Sequence, residues 1–167
     1  MIRWIQNARR LVRNRDGNVM LEFAIGSGVL VAAFVGTFQF GYTFLQYNNL
    51  ENAVARGARY ASLIVYDSST DTPSNKFQTA VQNMVLYGSP AAGAGATPVL
   101  TGLAATNVSV SVCGITHVCP GYATALGIPQ EVTVSISGYA IDSIFVTMTL
   151  TNKPQVTYWY QGIWSPI

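Results

Sequence analysis

The chain has 167 residues, half of them hydrophobic and only 10% charged, with a net charge of +2. That length suits one small domain plus an anchor, and the composition fits an anchor plus a Ser/Thr-rich extracytoplasmic module; a basic leader could suggest nucleic acid, but its place beside an apolar span argues against it. The charge is also uneven: in the first 17 residues Arg3, Arg9, Arg10, Arg13 and Arg15 against Asp16 give +4, while the remainder carries four bases and six acids, hence −2. A basic cluster abutting an apolar span reads as a positive-inside flank, with the N-terminus cytoplasmic and the bulk of the chain outside.

Residues 1–17 form the leader, with Trp4, Ile5, Leu11 and Val12 placed to make a short amphipathic helix against the membrane. From Phe23 to Leu45 no residue is charged. Such a run, at about 1.5 Å per residue, spans roughly 35 Å, enough to cross a bilayer core of about 30 Å. It is too long for an ordinary secretory signal, and no small-residue cleavage site ends it cleanly. No Pro interrupts the chain from Asn18 to about Ile64, so one helix is expected over 18–64, membrane-spanning over about 23–45. Ala24, Gly28, Ala32 and Gly36 recur every four residues. In lipid such a ridge admits a second helix backbone, although small residues are also common in membrane helices generally. Phe38, Phe40, Tyr42, Phe44 and Tyr47 would form an aromatic belt at the outer end. Beyond Asn48 the helix turns amphipathic: Leu50, Ala53, Val54, Ala58 and Ala61 share one face, which should bury against the domain that follows.

Residues 65–167 would be an extracytoplasmic α+β domain. A turn-rich loop leads to Ser74, a helix cap, and to a helix over Asn75–Tyr87 that ends at Gly88. The Gly/Ala/Pro-rich stretch Ser89–Thr101 reads as a flexible surface loop. Val108–Val112 and Val132–Ile136 alternate with period two. Further strands are expected over Ile144–Leu150 and Gln155–Trp159, with Gly138–Asp142 as a connection. Four short antiparallel strands packed on a long helix, with one additional helix, make a small α+β fold.

Cys113 and Cys119 are the only cysteines, and His117 is the only histidine. Outside the cytoplasm the favoured chemistry is a disulfide closing a short loop, ahead of free thiols or a metal. Two Cys and one His lack a fourth ligand for zinc, so no metal and no cofactor is expected. Asp67, Asp71, Glu131 and Asp142 are scattered over loops and strand ends and read as solvated turn residues; no catalytic residue is assigned and no enzyme is expected.

The residue with the strongest functional reading is Glu22, in the first turn of the apolar run, where an ionised carboxylate is costly and usually partnered. The bland reading is solvation by headgroups. Gly17 lies five residues before it. This Gly–four residues–Glu spacing resembles the class III signal of type IV pilins and pseudopilins. Phe23 after Glu22, the block Ala55-Arg56-Gly57-Ala58-Arg59-Tyr60-Ala61 and the block Val85-Leu86-Tyr87-Gly88 resemble the TadE-like minor pilins of the Tad (tight adherence) system. The resemblance implies an inner-membrane pilin-like protein, cut by a prepilin peptidase between Gly17 and Asn18. Its Glu22 would pair with the new α-amine of Asn18, in its own or a neighbouring helix. It would then join other pilin subunits through the helix and support a pilus used in surface adhesion. The alternative is an uncut, membrane-anchored module binding a surface glycan or protein through loops near Tyr122 or Trp159–Trp164.

Overall fold

A computed structural model of the chain describes residues 15–93, 95–142 and 147–166. The leader before Arg15 lies outside these residues, as does the expected amphipathic helix within it. The described chain is α+β and divides into two units, one ending at Gly41 and the other comprising Tyr42–Ile167. Helix α1 runs Arg15–Leu63. Its part from Val19 to Leu63 is long and apolar enough to cross a membrane.

Within the second unit, the expected apolar stripe of α1 is fully buried: Leu50, Ala53, Val54, Ala58 and Ala61 are all 0% exposed. The stripe packs in one core with Tyr66, with Phe77, Val81 and Val85 of helix α2 (Asn75–Tyr87), and with the valines of the sheet. The two helices approach closely at Gly57, where an added Cβ would overlap the Cγ2 of Val85. Only a residue without a side chain fits there at no cost. Helix α2 starts where the sequence places it: Ser74 Oγ accepts from the Phe77 N–H at 3.1 Å and donates to Asp67. It ends at Gly88, in the left-handed conformation, whose N–H returns to the Met84 carbonyl.

The β region departs from the expectation. Among the described residues it has five strands in two sheets, β1 (Val108–Cys113), β2 (Glu131–Ile136), β3 (Ala140–Asp142), β4 (Thr147–Thr149) and β5 (Gln155–Trp159). The strand expected over Ile144–Leu150 lies partly outside the described residues, and its described part contains β4. The larger sheet has the antiparallel order β1-β2-β5, and β3 pairs with β4 as a separate ribbon. The stretch expected as a connection, Gly138–Asp142, therefore contains a strand. Its Tyr139 and Ile141 alternate inward at 5% and 1% exposure, a period too brief to register between Gly138 and Asp142. In β1 and β2 the valines face the core and the Ser/Thr side chains look out, as alternation requires. The Ser89–Thr101 stretch is largely exposed, but its end folds back. The Val99 N–H donates to the Leu86 carbonyl, and Leu100 is buried.

Candidate functional site

Gly17, Asn18, Glu22 and Phe23, which the sequence singles out as candidates for processing and assembly, and the small residues Ala24, Gly28, Ala32 and Gly36 all lie in α1. Gly17 and Asn18 fall in its first turn. Glu22 and Phe23 follow on exposed positions, as do Ala24, Gly28, Ala32 and Gly36. These last four repeat at one helical turn and so share a face. A Cβ added at Gly28 or Gly36 would meet open space. Local polar groups turn back on the helix itself: the Ser27 hydroxyl donates to the Ala24 carbonyl and the Thr37 hydroxyl to that of Ala33. The face is thus smooth and presents little beyond backbone and methyl groups.

Cys113 and Cys119 are joined in a disulfide, so neither sulfur is a thiolate. The bridge closes a loop at the end of β1, and a residue from far along the chain holds that loop in place. Asp71 is read from sequence as a solvated turn acid; instead its side chain is 9% exposed. It accepts from the N–H groups of Ile115 (2.9 Å), Thr116 (3.0 Å) and His117, and from the Thr116 hydroxyl. His117 Nδ1 lies 2.8 Å from the same carboxylate, so the histidine pairs with Asp71 rather than with the neighbouring sulfur. Burial pushes the Asp71 carboxyl up. The donors from Thr116, Ile115 and His117 outweigh it and hold the pKa at about 2. This is an anion seated in a nest of backbone donors, a structural clamp between the loop after α1 and the disulfide loop. No short-range signal in the sequence marks it, because acceptor and donors are 44 to 46 residues apart.

Residues 17–59 match the family model described as TadE-like protein. No curated protein and no solved structure matches the chain. The TadE-like segment covers Gly17, Asn18, Glu22, the small-residue face and the close approach at Gly57. The block Val85–Gly88 lies beyond the matched residues.

Outside the TadE-like segment, the aromatic cluster near the C-terminus separates into two roles. Tyr160 and Trp164 are structural. The Tyr160 hydroxyl accepts from the Tyr66 N–H (2.8 Å) and lies 2.7 Å from the Ile64 carbonyl, and Trp164 Nε1 donates to the Ser68 carbonyl. Together with the bonds from Gln161 N–H to Ser62 O and from Tyr66 N–H to Ile163 O, they tie the end of the chain to the end of α1. The buried Tyr66 ring meets Phe77 and Tyr160 edge-on, and burial lifts its hydroxyl pKa to about 12. Tyr158 and Trp159, by contrast, remain 39% and 60% exposed, with Trp159 edge-on to Tyr122.

Proposed function

We propose that this chain is a non-enzymatic minor pilin or pseudopilin. It inserts in the inner membrane with its leader cytoplasmic and its α+β domain outside, and is cut after Gly17. It supports assembly of a Tad-type pilus used for surface adhesion. The observation that carries the reading is that one matched stretch, residues 17–59, holds the Gly17/Glu22 spacing and an apolar helix with an open small-residue face. In lipid, helices associate through close backbone packing, and the Ala24/Gly28/Ala32/Gly36 face supplies the approach. Glu22 would pair with the α-amine freed on Asn18, a pairing strong enough in a poorly screened setting to select register between subunits. Prepilin peptidase and other pilin subunits are the partners this reading implies.

The test is the N-terminus of the protein purified from its own cells, read by mass spectrometry beside a Gly17→Ala variant. A mature chain starting at Asn18, lost in the variant, is the expected result. A start at Met1 in cells with an active prepilin peptidase would sink the reading. It would favour the uncut, membrane-anchored binding module, for which the exposed Tyr158 and Trp159 are the motivating observation.

A further inference from the structure

Among the described residues, strand β5 is an edge strand, bonded on one side only, to β2. The register shows which of its backbone groups are free. The Tyr160 N–H donates to the Gln130 carbonyl, and the Ile136 N–H to that of Pro154. Antiparallel pairing alternates, so the residues opposite Val132 and Val134, namely Tyr158 and Val156, also face β2. The N–H and C=O groups of Gln155, Thr157 and Trp159 therefore point away from the sheet. No backbone group among the described residues bonds them. The opposite edge, on β1, is partly covered, since the Gln82 amide donates to the Val108 carbonyl.

The uncovered edge of β5 runs beside a charged face of α1. Two grooves, of about 520 and 250 Å³, lie there and share Arg59 and Tyr158. Asn52 and Arg56 wall the first, and Trp159 and Gln161 the second. Both arginines are exposed. Arg56 donates only to the Asn52 carbonyl of its own helix, and among the described residues neither arginine forms an ion pair. Unpaired guanidinium groups beside an unpaired strand edge offer two complementary kinds of recognition.

We infer that this surface docks an extended acidic segment of another polypeptide, which adds to the free edge of β5 and sets its carboxylates on Arg56 and Arg59. Backbone bonds to Thr157 and Trp159 would supply affinity, and the arginines would supply choice of partner and direction. The spacing suits this occupant. Side chains on one face of a strand recur at roughly 6.7 Å, and positions three apart on a helix lie about 5–6 Å apart, a difference that flexible arginines absorb. The chain's own acids beyond the helix, Asp67, Asp71, Glu131 and Asp142, stand singly, so a second copy of this chain does not provide the segment. The surface lies wholly within Tyr42–Ile167, and the inference stands whether or not the leader is cut.

The experiment titrates the full chain, held in nanodiscs, with an acetylated Thr-Glu repeat decapeptide by calorimetry at low salt. Saturable binding is expected, weakened by added salt. It should fall roughly tenfold in Arg56→Gln/Arg59→Gln. Thr157→Pro should abolish it, because proline removes an outward N–H that β2 does not use, whereas Thr157→Val should bind normally. The same decapeptide N-methylated on alternate residues tests backbone pairing without altering the protein, and it should not bind. The inference is overturned if the parent peptide fails to saturate, or if its N-methylated form binds equally well. Binding of polygalacturonate in place of the peptide, with the same loss in the arginine variant, would also overturn it and reassign the surface to acidic glycans.

Discussion

The two halves of α1 are built from similar residues and meet opposite surroundings. Leu30 is 72% exposed and Leu50 is 0% exposed, although both sit in one uninterrupted helix. Around Leu50 the apolar positions keep to one stripe, with Glu51, Asn52, Arg56 and Arg59 exposed beside it, so a partner from the same chain can cover the stripe and leave the rest in water. Around Leu30 the apolar residues occupy every face, and Val29, Leu30, Val31 and Phe34 are all exposed. A helix apolar all round needs a surrounding that is apolar all round, and a bilayer is the one that its length and hydropathy suit. Burial therefore follows the pattern of hydrophobicity rather than its amount.

The same truncation made in each half of α1 should have very different effects. Leu50→Ala should lower the unfolding free energy of the domain by about 2–5 kcal/mol, since it leaves a cavity in a packed core. Leu30→Ala should leave it within about 0.5 kcal/mol. Thermal or chemical unfolding of the full chain in nanodiscs, followed by near-ultraviolet circular dichroism, reads both. Equal losses would mean that the halves do not differ in how they are packed.

Next in size is the Asp71 clamp. Asp71→Asn keeps the shape but removes the charge from several donors, and should cost about 2–4 kcal/mol. The native carboxyl titrates at about 2 against an ordinary 3.8, so between these values the unfolded chain binds more protons than the folded one. The clamp's contribution is complete above about pH 4 and disappears as pH falls toward 2. Unfolding scans over that window should show a slope that Asp71→Asn flattens. An unchanged slope would remove Asp71 from the acid response.

The smallest effect is at the point where α1 meets α2. Gly57→Ala adds helix propensity of up to about 1 kcal/mol and forces a methyl against Val85, for a net loss of about 1 kcal/mol. Gly28→Ala, where the space is open and the residue lies outside the domain core, should leave the domain's unfolding free energy within about 0.5 kcal/mol, so the loss should be confined to Gly57. A gain at Gly57 would show that the helices have room to separate.

Most of the helical structure was legible along the chain. The apolar run, the amphipathic stripe from Leu50 to Ala61, the Ser74 cap and the Gly88 stop are all local signals, carried by neighbours within one or two turns. Two of the four expected strands, Val108–Val112 and Val132–Ile136, followed from alternation alone, and Gln155–Trp159 fell where it was expected. The cysteine pair was readable for the same reason, because it is a relation between residues close in sequence. What only the tertiary structure decided are relations across long separations. Asp71 became a clamp when the chain brought the disulfide loop onto it. Tyr160 and Trp164 became ties, while Tyr158 and Trp159 stayed exposed. Arg56 and Arg59 came to lie beside the open edge of a strand about a hundred residues away. Periodicity reports which face of an element is apolar, but which distant backbone donors meet a given acid, or which strand is left at an edge, depends on how the elements pack, and no local pattern encodes that.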